Sequence, residues 1–196
     1  HPNLKRPNLL GEQIEALHAR DIRCPVYTTV QWDHYTANAH PEWLCKDENG
    51  SFQGGSKPFK PGFYRFLDVF HPGYRQFLKD HVRDMFDCLG NLDGVWFDIV
   101  QAMPSTAPHW LEAMLHDGYD PESADDRQKY AWLVTDAWKK EMTAYVREFS
   151  DDCLIFYNSG HISPRHRNAI DAYSHVEVES LPSGEWGYLH FPVTQS

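Results

Sequence analysis

The chain has 196 residues, 41% apolar and 14% aromatic, with 28 acidic against 18 basic side chains and a formal charge of -10, which gives a globular composition with apolar mass for one core. That charge argues against nucleic acid and anionic membrane surfaces as partners, because both are held by clustered Lys and Arg, and no apolar run approaches the ~18 to 20 residues of a membrane span. The chain starts at His1 rather than Met and shows no signal-peptide pattern, so the expectation is that its amino end has been cut or that it is a piece of a longer chain.

In chain order, Asn8 stands as the N-cap of a first helix marked by Leu10, Ile14 and Leu17 and ending near Arg20. Residues 23–32 (RCPVYTTVQW) have strand length and β-branched and aromatic content. A long polar and aromatic loop follows over residues 33–70. A second helix runs from Pro72 to Leu89, with Tyr74, Phe77, Leu78, Val82, Met85, Phe86 and Leu89 on one stripe. The strand 94–100 (GVWFDIV) leads to a short helix over 110–115 and a long one over 125–149, whose buried face carries Tyr130, Val134, Trp138, Met142, Tyr145 and Phe149. Two further strands are predicted at 153–158 (CLIFYN) and 173–180 (YSHVEVES). His71 and His81 read as cap or surface residues, and Arg165, His166 and Arg167 as a solvated helix start. Cys24, Cys45, Cys88 and Cys153 form no C-x-x-C pair. Cys24 and Cys153 are expected to be buried free thiols, which favours a reducing, cytoplasmic setting.

Strands alternating with helices predict an α/β fold of parallel βα units. Each helix passes into the next strand through a few residues, whereas each strand leaves into an elaborate loop. That asymmetry is the signature of a (β/α)8 TIM-type barrel with its chemistry at the carboxyl ends of the strands. A doubly wound sheet would share it, but no Gly-rich phosphate turn occurs here. Four βα units are half a barrel, so residues 1–196 are expected to be a single partial catalytic barrel domain lacking N-terminal and C-terminal strands. Missing segments, or another chain, would complete it. Homo-oligomerisation is left open.

Asp98 ends the apolar run VWFD, at the last inward position of its strand. A carboxylate there is costly to desolvate unless paired or used. In HVEVES, alternation puts His175, Glu177 and Glu179 on one face and Val176 and Val178 on the other. If the valines pack against the outer helices, the glutamates point into the barrel and Glu179, nearer the carboxyl end, reaches the mouth; the alternative is a solvent-exposed edge strand whose polar face does nothing. Two carboxylates from different strands suit glycoside hydrolysis. The surround suits a sugar, with aromatic faces for stacking and His, Asn and Asp for hydroxyls: Trp32, Asp33 and His34 after the first strand, Trp96 beside Asp98, Asn158 and His161 after the third strand, Glu177, and Trp186 after the fourth. The substrate is expected to be a carbohydrate, without cofactor or metal.

The stretches HPNL, LLGEQIEALHARDIRCPVYTTVQWD, HPEWL, GVWFDIV, IFYNSGH and VEVESLPSGEWGYLHFP, in that order, resemble the hypothetical glycosyl-hydrolase barrel group related to α-L-fucosidases, a relative of glycoside hydrolase families 29 and 151. The likeness runs through nearly all of the chain. It implies a TIM-type barrel that begins upstream of HPNL and continues past FPVT, and a retaining, exo-acting α-L-fucosidase-like activity. By analogy with the aspartate of the W-F-D element in fucosidases, Asp98 is the nucleophile. Glu179 is carried over as acid/base, a position that varies among these relatives. The chain departs from the group after F-D-I, where QAMPSTAPHW lacks the cysteines of a cysteine-rich segment, so any structural or metal-binding role of that segment does not carry over.

Two other classes stand beside the glycosidase: a non-catalytic carbohydrate-binding or scaffold barrel, and a metal-dependent hydrolase suggested by the twelve histidines together with Asp33 and Asp98. The histidines form no H-x-H or H-E-x-x-H element, which weighs against the latter.

Overall fold

The computed structural model describes residues 5–54, 64–159 and 164–176. Helix α1, Leu9–His18, has Asn8 at its N-cap position, but the Asn8 side chain makes no capping bond. It lies over Gly11 instead, at a place where a Cβ would collide with it. Strand β1, Val26–Thr29, follows, then α2, His34–Ala39, and a 3-10 turn, Pro41–Trp43. The segment read from sequence as a plain loop is therefore partly folded, and isolated antiparallel bridges join Leu44 to Leu67, Lys46 to Phe52 and Gly54 to Arg65. Helix α3, Pro72–Leu89, has the predicted bounds. His71 caps it by accepting from the Gly73 N–H at 3.2 Å, and Pro72 sits at the first helical position, where no N–H is needed. Strand β2 is Gly94–Asp98, α4 is Pro108–His116, α5 is Ala124–Arg147 and β3 is Leu154–Tyr157. A 3-10 segment, Pro164–Ala172, packs on α5.

Among the described residues the sheet has three parallel strands in the order β1-β2-β3, rather than the four predicted. The fourth was placed at 173–180. Its first residues, 173–176, carry no strand, and 177–180 lie outside the described residues. The local reason is Ser174, whose N–H goes to the Ile155 carbonyl while its hydroxyl takes the Ile155 N–H, so a side chain replaces one half of a ladder.

Register pairs Val26 with Val95 and Thr29 with Asp98 on one side of β2, and Gly94 with Leu154 and Phe97 with Tyr157 on the other. Alternation then divides the sheet into two faces. Val26, Thr28, Val95, Phe97, Ile155 and Tyr157 are buried under the helices. Trp138 of α5 meets Phe97 and Tyr157 edge-on at 6.0 and 5.7 Å. From α3, Tyr74 donates to the Val30 carbonyl and His81 reaches the Thr28 hydroxyl. On the opposite face stand Tyr27, Trp96 and Phe156, a row of rings in edge contact at 6.0 and 5.7 Å. Trp96 belongs to the central strand yet is 36% exposed, and Tyr27 is 55% exposed.

The helix-to-strand turns are short. Gly90 ends α3 at φ +77, where a side chain would be strained, and its N–H closes on the Phe86 carbonyl. Asp93 fastens this end of the sheet, accepting from the Cys24 N–H at 2.7 Å and contacting His18 Nε2 at 2.6 Å. No disulfide forms among Cys24, Cys45, Cys88 and Cys153, which are free. No helix among the described residues is long and apolar enough to cross a membrane.

Candidate active site

The carboxyl end of the central strand places Asp98 on the sheet face that the helices leave open. Its two oxygens are taken separately. Tyr27 donates its hydroxyl to Oδ2 at 2.7 Å, and Asn158 donates its amide to Oδ1 at 2.9 Å. Both donors are neutral, so among the described residues the carboxylate is oriented without an ion pair, and each oxygen keeps a further lone pair. Asn158 is itself fixed by the ladder, with its N–H on the Phe97 carbonyl and its carbonyl taking the Val100 N–H, both at 2.8 Å. Tyr27, Trp96 and Phe156 form the layer beneath, so the carboxylate stands above an aromatic floor.

Ile99, the next residue, has φ +55. A β-branched residue in the left-handed region is strained, at a cost on the order of 1–3 kcal/mol. The turn is held by the Val100 bond to Asn158 and by the Gln101 N–H, which donates to Gln31 Oε1 at 2.6 Å. Gln31 is 2% exposed: its side chain ties the loop after β2 to the one after β1, and its backbone carbonyl accepts from the Leu67 N–H.

Of the residues singled out from sequence, the structure thus brings Asp98, Asn158 and Trp96 together and adds Tyr27. The group after β1 has local employment. Asp33 caps α2, accepting from the Tyr35 and Thr36 N–H groups and from the Thr36 hydroxyl. Trp32 stacks on Tyr64 with ring centroids 3.7 Å apart. His34 Nε2 pairs with the Asn38 amide at 2.9 Å. Trp32 Nε1 and His34 Nδ1 are buried without a hydrogen-bond partner. His161, Glu177, Glu179 and Trp186 lie outside the described residues. Sequence reasoning missed Tyr27 because nothing in a single strand gives its register against the next. It missed Gln31 because an amide in QWD looks like any loop polar group.

Asp68, another buried carboxylate, makes a useful contrast. It is 1% exposed and accepts from Trp110 Nε1 at 2.7 Å, from the Phe70 N–H at 2.8 Å and from His109 Nε2 at 2.8 Å. These bonds fasten the strap before α3 to α4, with Oδ2 taking two donors and Oδ1 one. A cavity of about 490 Å³ lies nearby, lined in part by Lys46, Gln53, Ser105, Thr106 and Gln128. Its amides and hydroxyls are committed to backbone: Gln53 donates to Lys46 and Pro104, Thr106 to Asp47, and Gln128 to Ala102. It braces two loops. Among the described residues no three His, Cys, Asp or Glu side chains converge as a metal site.

The family model described as hypothetical glycosyl hydrolase 6 matches residues 1–99, and the chain belongs to that family. Among solved structures it is similar to the α-L-fucosidase isoenzyme 2 from Paenibacillus thiaminolyticus, with 30% identity over 95% of this chain and a TM-score of 0.82. It shares a fold with the β-galactosidase from Marinomonas ef1, at 16% identity over 93% of this chain and a TM-score of 0.64, and with the α-galactosidase from Lactobacillus brevis, at 14% over 80% and 0.53. The chain spans 28%, 34% and 19% of those three chains, respectively. No curated protein matches it.

Proposed function

We propose that the protein to which this chain belongs is a retaining, exo-acting glycoside hydrolase of α-L-fucosidase-like specificity, with Asp98 as nucleophile and Glu179 as acid/base. In this reading the three βα units are part of a (β/α)8 barrel whose remaining strands face the open side of the sheet, and the row Tyr27, Trp96 and Phe156 is interior. The observation that carries the reading is the setting of Asp98. It ends a central parallel strand on the uncovered face, held by two neutral donors and, among the described residues, by no cation. Family membership and the similarity to a fucosidase support it.

In the first step an Asp98 oxygen attacks the anomeric carbon as the bond to the leaving oxygen breaks, and the acid protonates that oxygen. The product is a glycosyl ester of Asp98. In the second step water attacks the same carbon, the base takes its proton, and the carboxylate is released. Two inversions give net retention. Tyr27 and Asn158 would hold Asp98 so that one lone pair stays aimed at the sugar. The geometry requires the two carboxyls to stand about 5 to 5.5 Å apart.

The test is Asp98→Ala or Asp98→Gly in the full-length protein, assayed on aryl α-L-fucosides. Turnover should be lost and restored in part by azide, with formation of a glycosyl azide of inverted configuration. Undiminished turnover in either variant overturns the assignment. A panel of other aryl glycosides on the unaltered protein decides the sugar.

A further inference from the structure

Lys139, on α5, is fully buried. Its ammonium lies on the helix side of the sheet and donates to the Ser159 hydroxyl and the Tyr173 hydroxyl, each at 2.9 Å. Neither partner is a carboxylate. Asp136, three residues earlier on the same helix, faces the same region with one oxygen unpartnered. The ammonium also lies 5.3 Å from the centre of the Tyr173 ring, but burying a cation without a carboxylate bonded to it is costly, and an apolar side chain of similar length would serve packing better. The surrounding structure is clamped without it, since Tyr157 donates to the Lys139 carbonyl and the Thr143 hydroxyl binds Ala172.

What the ammonium does fix is the chain's exit from β3. Asn158 points to the open face and reaches Asp98, and Ser159, the next residue, points the other way to Lys139. The Asn158 backbone is laddered to Phe97 and Val100, and the Lys139 bond adds a hold on the very next residue, where the chain leaves that ladder. We propose that Lys139 is a positioning residue that acts through Ser159 and Asn158 to hold Asp98 in its reactive orientation, an inference that rests on the glycosidase reading for its kinetic consequence but not for its structural one.

The experiment is Lys139→Met in the full-length protein, read in three ways. The thermal midpoint should stay level or rise, because a desolvated charge has been removed. On the aryl glycoside that the unaltered protein turns over, kcat should fall by about ten-fold or more with KM held within about two-fold, the pattern of a lost transition-state alignment. In the crystal structure of the variant, the Asn158 amide should move from 2.9 Å to beyond ~3.5 Å from Asp98 Oδ1. A variant that is destabilised with kcat unchanged shows Lys139 to be structural and overturns the inference, as does an Asn158 amide still at hydrogen-bond distance. If the unaltered protein hydrolyses no glycoside, the glycosidase reading fails by itself, and the crystallographic distance alone decides the role of Lys139.

Discussion

The Tyr27 hydroxyl donates to Asp98 Oδ2 at 2.7 Å from a site two residues before Thr29, the register partner of Asp98. The contact is diagonal across two parallel strands, on the face that carries Trp96. Tyr27→Phe keeps the ring against Trp96 and removes one charge-assisted bond to Asp98. Because the ring and its edge contact with Trp96 are kept, the fold should be unaffected. On aryl fucosides kcat/KM should fall by roughly ten-fold or more, with a thermal midpoint close to that of the unaltered protein. Equal kcat/KM would show that the Tyr27 bond plays no part in aligning Asp98.

What could be read from sequence follows from how local each signal is. Helix α3 is announced by Pro72 at its start, Gly90 at its end and an apolar stripe between them, so its bounds were legible. The place of Asp98 at the end of its strand was legible because the carboxylate closes the apolar run VWF. Tyr27 was not, since its role exists only through the register of β1 on β2. The helix α2 (HYTANA) escaped because six residues carry no apolar period, and its start is set by the Asp33 carboxylate, which looked like a sugar ligand. The strand read at 173–180 failed at its first residues because Ser174 bonds locally to Ile155. Lys139 was hidden for a simpler reason: a lysine in the helix run WKKEM reads as solvent-facing, and only the packing of β3 and Tyr173 buries it.

The opposite end of the sheet offers a stability test. Asp93 is partly desolvated, which pushes its carboxyl up, but the Cys24 N–H and His18 more than offset this and leave it below the ordinary 3.8. A carboxylate held low contributes stability above its unfolded value and loses it as the pH falls through its folded one. Asp93→Asn should therefore cost about 1–3 kcal/mol near neutral pH, the range for a hydrogen-bonded charged group. The gap between the unaltered protein and the variant should close as the pH drops below 3.8. Urea titrations of both proteins from pH 7 downward measure it, and a gap that persists in acid would reject the pairing.

Trp138 is 0% exposed and fills the space between α5 and the sheet, against Phe97 and Tyr157. Truncation to Ala leaves a cavity that the surrounding strands cannot close, at a cost of about 3–5 kcal/mol. Trp138→Ala should show a denaturation midpoint lowered to match, read by circular dichroism. A loss under ~1 kcal/mol would mean that the helix layer collapses onto the sheet, against the rigid packing described.

Lys139 gives the sharpest dependence on pH. Burial lowers its ammonium from the ordinary 10.5 to about 8, against an opposing pull from Asp136. The groups around it are Asp136 from its own helix, Ser159 from the end of β3, and Tyr173 after the 3-10 segment. Burial and neighbouring charge also push Tyr173 up, to about 12, so it stays protonated across the range that matters. Below pH 8 the lysine is charged in both folded and unfolded chains, and the folded state carries the full desolvation penalty. Between about 8 and 10.5 the unfolded chain holds the proton and the folded chain does not, so raising the pH favours the fold. That span corresponds to about 3 kcal/mol. The unaltered protein should therefore gain on Lys139→Met steadily from pH 8 to 10.5, a difference that cancels the other titrating groups common to both. Denaturant midpoints taken at half-unit steps across this window give the curve. A flat difference would mean that the ammonium finds its proton as readily inside the protein as in water, and would remove the energetic reason for assigning it more than a packing role.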